Sequence, residues 1–130
     1  MKYLLDANAV ISLLRGHPAI AARARRRPTS DFGIPAVVAH ELYFGAYRGD
    51  RIAESLSKIE AMAFEVLDFD REDAHQAARI RAALASAGKP IGGYDILIAG
   101  QTMARGLVLI THNTDEFSRV AGLQIEDWEL

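Results

Sequence analysis

Tyr94-Asp95-Ile96-Leu97-Ile98-Ala99-Gly100-Gln101-Thr102-Met103-Ala104 leads, two residues on, into Leu107-Val108-Leu109-Ile110, and these residues set the architecture. Residues 94–104 are apolar almost all round, the pattern of a helix buried inside a protein. The aliphatic run 107–110 is short and reads as a buried strand. A buried helix feeding a buried strand is the unit of a parallel sheet covered on both faces.

The same alternation continues outward in both directions. Upstream, Tyr3-Leu4-Leu5 reads as a strand and Ala9-Val10-Ile11 as the start of a helix that stops at Gly16. Pro18 opens a second helix ending near Arg27, and Phe32 to Ile34 is a second strand. A helix follows Pro35 to about Tyr47 and is closed by Gly49. Asp50 is placed to cap a helix over 51–62, 64–67 is a third strand, and Asp70 caps a helix to about Ala87, ended by Gly88 and Pro90. Downstream, 114–120 reads as a short helix and 123–128 as a last strand. There is no repeat, linker or low-complexity tract, so residues 1–130 are expected to form one α/β domain of ordinary size.

Composition excludes several chemistries. With no Cys among 130 residues, disulfides, thiolate zinc sites, iron–sulfur clusters and Cys nucleophiles are out. An acid at position 6 comes too early for a secretory leader, and no run nears the ~20 apolar residues of a membrane span, so a cytoplasmic protein is expected. The net charge of −2 hides an uneven distribution. Lys2, Arg15, Arg23, Arg25, Arg26 and Arg27 face a lone Asp6 in the first thirty residues. Asp115, Glu116, Glu126, Asp127 and Glu129 face a lone Arg119 in the last twenty. An anionic partner is compatible with that basic end.

In a parallel sheet, reactive groups collect beyond the carboxyl ends of the strands where strand order reverses. Asp6 follows the first strand; as a helix cap it needs no further role. Glu41 lies in the apolar helix Val37-Val38-Ala39-His40-Glu41-Leu42-Tyr43-Phe44, where a wet face would explain it. Asp95 is harder to explain, because it is the only charge in an otherwise buried stretch and the nearest cation, Lys89, lies beyond two glycines. Asn113 and Glu116 match a capping box, and Asp115 a first-turn acid. Together these acids can converge, and their mutual repulsion would then call for a divalent cation. An all-oxygen set favours Mg²⁺ or Mn²⁺ over zinc.

Leu4-Leu5-Asp6-Ala7-Asn8, the helical Glu41, Pro90-Ile91-Gly92-Gly93-Tyr94-Asp95-Ile96-Leu97-Ile98-Ala99 and Thr111-His112-Asn113-Thr114-Asp115-Glu116-Phe117 resemble, in that order, the PIN-domain nucleases. More narrowly they look like the VapC toxins of type II toxin–antitoxin pairs. The resemblance implies a PIN-like three-layer α/β/α domain whose central, mainly parallel sheet has four to five strands. It implies an Mg²⁺- or Mn²⁺-dependent endoribonuclease with an RNA substrate, a cognate VapB-like antitoxin and a homodimeric state. By position Asp6, Glu41 and Asp95 match the family's first three acids, with Asp6 and Asp95 as direct metal ligands and Glu41 as a ligand or water-orienting group. The fourth acid falls on Glu116, with Asp115 standing where many relatives carry a basic residue, so the choice between the two stays open. Hydrolysis to 5′-phosphate and 3′-hydroxyl ends is what the family's chemistry implies.

Around these acids, Asn8, Thr111, Asn113 and Asp115 are candidate hydrogen-bonding partners. Arg23, Arg26 and Arg27 are candidates for RNA or antitoxin contact, against the plainer reading of cations at a helix end. The four His, at 17, 40, 75 and 112, show no metal-ligand spacing. Tyr43, Phe44 and Tyr47 read as core or as a dimer face. Two other functions fit the first motif: a haloacid-dehalogenase-like phosphohydrolase, which usually has a second Asp where this chain has Asn8, and a non-enzymatic module that only binds a cation.

Overall fold

A computed structural model describes residues 1–130. Its strands are β1 (Tyr3–Leu5), β2 (Phe32–Pro35), β3 (Glu65–Leu67), β4 (Val108–Ile110) and β5 (Ile125–Glu126). Its helices are α1 (Ala7–Leu14), α2 (Pro18–Arg25), α3 (Ala36–Arg48), α4 (Ile52–Glu60), α5 (Arg71–Ser86), α6 (Gly93–Ala104) and α7 (Thr114–Phe117). The strands form one sheet in the order β3-β2-β1-β4-β5, and every pairing is parallel. The α/β expectation holds, with all five strands present. No helix is long and apolar enough to cross a membrane.

Three boundaries differ from the sequence reading. Asp50 does not cap α4; the cap position is Arg51, which makes no side-chain capping bond. The helix expected over 114–120 stops at Phe117, after which i to i+3 bonds such as Val120 N–H to Phe117 O take over. The last strand, expected over 123–128, is two residues long. Its ladder ends because Ile110 pairs with Glu126 at the end of β4, and Asp127 Oδ1 then accepts the Glu129 N–H at 3.0 Å, turning the chain.

β1 sits at the centre, with Leu4 and Leu5 fully buried among Phe32, Ile34, Leu109 and Ile110. Two devices fix α6, the helix that carries Asp95. Gly100 lies so close to α5 that a Cβ there would fall 2.5 Å from the Ala77 Cβ, an approach only glycine permits. One turn of the same interface is polar. Gln101 of α6 and Arg105, the residue that caps its end, donate to the buried Asp73 Oδ2 of α5, each at 3.0 Å, and both also reach the Asp68 carbonyl at 2.9 Å. Asp73 meanwhile closes a capping box with Asp70 at the start of α5.

The C-terminus is tied down by Trp128, which is 1% exposed. Its ring lies 4.9 Å from Tyr3 and 5.9 Å from Phe32, and the Arg27 guanidinium stacks over it at 4.6 Å. Its indole N–H donates to Glu126 Oε1 at 2.9 Å.

Candidate active site

The chain builds β1, β2 and β3 outward on one side and then returns to lay β4 and β5 on the other. The reversal falls between β1 and β4, the position where α/β sheets open a crevice. Leu5 pairs with Ile110 in register, so the next residues, Asp6 and Thr111, stand side by side at the carboxyl ends. The Thr111 hydroxyl donates to Asp6 Oδ2 at 2.5 Å, and the Ala9 N–H of α1 donates to Oδ1 at 2.9 Å. Asp6 is therefore a helix cap and a site residue at once, only 5% exposed.

Glu41 and Asp95 are electrostatically linked to this position, and Glu116 is linked to Asp95. Burial pushes the Glu41 carboxyl up, and repulsion from Asp6 adds to it. Asp95, half-buried in the first turn of α6, is pushed up to about 7 by burial and by its hydrogen bond to Glu116, then by repulsion from Glu116, Asp6 and Glu41. Glu116 is lowered by the same bond from Asp95, by the Asn113 amide and by the Gly92 N–H. Asp95 and Glu116 thus behave as a pair sharing one proton. Asp6 is itself raised, burial outweighing the Thr111 and Ala9 bonds. Segments separated by the whole length of the chain meet here.

The donor set fits a hard divalent cation. All four groups are carboxylates, and none has a Lys or Arg within ion-pair distance. Lys89 makes no ion pair with Asp95. No three of the four bring ligand oxygens within 4.8 Å of one another, as mutual repulsion dictates.

Burial distinguishes the two candidates for the fourth acid. Asp115 is exposed, whereas Glu116 is half-buried and accepts the Asn113 side-chain amide at 2.8 Å. This also corrects the capping box: the Asn113 side chain makes no capping bond and is turned to Glu116. The Asn113 N–H donates instead to Thr111 Oγ1 at 2.9 Å, so Thr111 and Asn113 are hydrogen-bonded to each other and to Asp6 and Glu116. Asn8 does not; it is exposed and makes no side-chain hydrogen bond, lining an adjacent pocket. Of the basic run, Arg27 stacks on Trp128 and bonds the Tyr3 hydroxyl at 3.2 Å and the Arg23 carbonyl at 2.9 Å. Arg23 reaches the Asp127 carbonyl at 3.4 Å, leaving Arg25 and Arg26 as the solvent-facing members.

Sequence reasoning missed a second cluster, His112, Asp127 and Glu129, whose ligand atoms all lie within 4.8 Å of one another. The signal was the alternation Glu126-Asp127-Trp128-Glu129, in which a buried aromatic turns its acidic neighbours to one face.

A central parallel sheet whose switch point gathers four carboxylates defines a class of nuclease fold, and the chain belongs to the PIN-domain family, which matches it over residues 3–123. It is similar over 130 residues to the tRNA(fMet)-specific endonuclease VapC of Shigella flexneri, at 37% identity with 98% of each chain covered. Ribonuclease VapC2 of Haemophilus influenzae is 31% identical over the same share. Among solved structures, DNA-bound VapBC from Salmonella typhimurium matches with a TM-score of 0.93 at 38% identity over 98% of each chain. VapBC2 from Rickettsia felis gives 0.90 at 26% identity, covering 98% of this chain and 99% of that one. The phosphohydrolase and non-enzymatic readings give way to a ribonuclease of the VapC type.

Proposed function

We propose that this chain is the toxin of a toxin–antitoxin pair, an endoribonuclease that holds Mg²⁺ or Mn²⁺ on Asp6, Glu41, Asp95 and Glu116. The observation that carries the reading is the gathering of these four acids at the switch point, where burial, then the Glu116 hydrogen bond and repulsion from Glu116, Asp6 and Glu41 raise Asp95 to about 7. A divalent cation bound there supplies charge neutralisation for the scissile phosphate and acidifies the attacking water.

The protein's own groups do the rest. Thr111 and the Ala9 N–H lock Asp6 in one rotamer, so a direct ligand is prepositioned on the rigid centre of the sheet. Asn113 and the Gly92 N–H hold Glu116 ionised beside Asp95. Glu41, raised by burial, is the group suited to orient water and take its proton. The water oxygen forms the new bond to phosphorus as Glu41 takes its proton, the bond to the 3′ oxygen breaks, and that oxygen takes a proton from solvent, which leaves a 5′-phosphate and a 3′-hydroxyl.

The relatives' names supply the partners. The VapBC structures support a VapB-like antitoxin, and the tRNA(fMet)-specific relative makes initiator tRNA the first RNA to try. Exposed Phe44 and Tyr47 on α3 support a face for a second copy in a homodimer. Arg25 and Arg26 remain free for RNA phosphate.

The test is cleavage of initiator tRNA and total RNA with end mapping. We expect cuts that need Mg²⁺ or Mn²⁺, stop in EDTA and fall at least 100-fold in Asp95→Asn with the fold retained. Undiminished cleavage in EDTA, or full activity of that variant, would refute the reading.

A further inference from the structure

We propose that His112, Asp127 and Glu129 form a second cation site that takes a borderline transition ion such as Zn²⁺. It lies beside the four acids, and the inference does not depend on the ribonuclease reading.

The donors are spaced for one ion. His112 Nδ1 is 2.9 Å from Asp127 Oδ2 and 3.9 Å from Glu129 Oε2. Ligands about 2.0–2.2 Å from a tetrahedral ion stand roughly 3.4 Å apart, between those two values. Each carboxylate has one oxygen fastened to the protein and the other directed at the shared point. Asp127 Oδ1 accepts the Glu129 N–H at 3.0 Å, and Glu129 Oε1 accepts the Ser12 hydroxyl of α1 at 2.7 Å. Outer bonds of this kind orient ligands before an ion arrives.

The backbone is fixed as well. Register puts Asp127 just past the Ile110–Glu126 pair, next to Thr111 and His112, and the buried Trp128 pins the residue between the two acids.

Asp127 and Glu129 have no Lys or Arg within ion-pair distance; their ion-pair partners are His112 and, at 3.9 Å from Glu129 Oε1, His17. A divalent cation at the shared point would supply the counter-charge to both acids while His112 ligates it. His17 also has a buried Nδ1 without a hydrogen-bond partner. A pocket lined by Asn8, Ser12, Arg15, His112, Asn113 and Glu129 opens on the cluster and gives a partly hydrated ion access. One imidazole with two carboxylates suits Zn²⁺ better than Mg²⁺, which prefers oxygen throughout.

The experiment is calorimetric titration of Zn²⁺ alone into the metal-stripped full chain, its Asp95→Asn variant, His112→Ala and Glu129→Gln, each checked for fold by circular dichroism. We expect one Zn²⁺ equivalent that survives Asp95→Asn and weakens at least tenfold in His112→Ala. His112 is exposed, so its variant tests binding without disturbing the core, and Glu129→Gln should weaken binding in the same direction. Unchanged affinity in His112→Ala, absence of a bound equivalent in the parent chain, or loss in Asp95→Asn alone would overturn the proposal.

Discussion

Asp95 carries the strongest electrostatic frustration in the molecule, and its consequences are measurable without any substrate. Its folded pKa, about 7, lies above the ordinary 3.8, so between those values the native state binds more protons than the unfolded chain. The Asp95 contribution to metal-free stability is therefore most favourable below that window and falls as pH rises through it. Thermal unfolding in EDTA should show a melting temperature that drops between about pH 4 and pH 7. Asp95→Asn should flatten the drop and raise stability at pH 8; an unchanged pH profile in that variant would contradict the shared-proton pair. Thr111→Val removes the hydroxyl that orients Asp6 and should lower cleavage ~10–100-fold with little effect on RNA affinity, measured as a kcat loss at constant KM. The acids were legible because isolated charges in apolar runs attract notice. The Asn113 rotamer was not, since a motif fixes spacing but not which of two carbonyl and amide partners a side chain takes. Asn8 shows the same limit: two residues past Asp6, in the first turn of α1, it falls on the solvent side of the helix.

At the scale of elements, α6 is the part that must be positioned, and its anchors to α5 can be tested one at a time. Gly100→Val forces a side chain into space held by Ala77 and should cost at least about 1–3 kcal/mol, read from denaturant midpoints. Asp73→Ala removes the carboxylate that Gln101 and Arg105 share, leaving them the Asp68 carbonyl, and should cost about 1–3 kcal/mol at pH 7. Hydrogen bonds and the Arg105 charge hold Asp73 below its ordinary pKa against burial, so the stability it contributes is present above about pH 4 and is lost as acid protonates it. The difference between parent and variant should accordingly shrink below pH 4. The alternation of strands and helices, the Asp70 cap and the buried character of α6 were all readable from periodicity. The short β5 was not, because its length is set by where β4 ends, 16 residues earlier in the pairing Ile110 to Glu126.

For the whole molecule, strand order was the quantity that alternation left open, and it is what brings the site together. The ladder places β1 between β2 and β4, so Asp6 receives neighbours from both halves of the chain. Trp128 closes the far side of the same assembly; Trp128→Ala should cost about 3–5 kcal/mol and lower the melting temperature by many degrees. That a C-terminal tryptophan clasps Arg27 and Tyr3 could not be seen from spacing, since only tertiary contacts link positions so far apart. The Thr111 to Asp6 bond spans 105 residues. Two fragments split anywhere between these partners would each hold only half of the pair, so RNA cleavage should be lost in either piece alone and return only when the two reassociate.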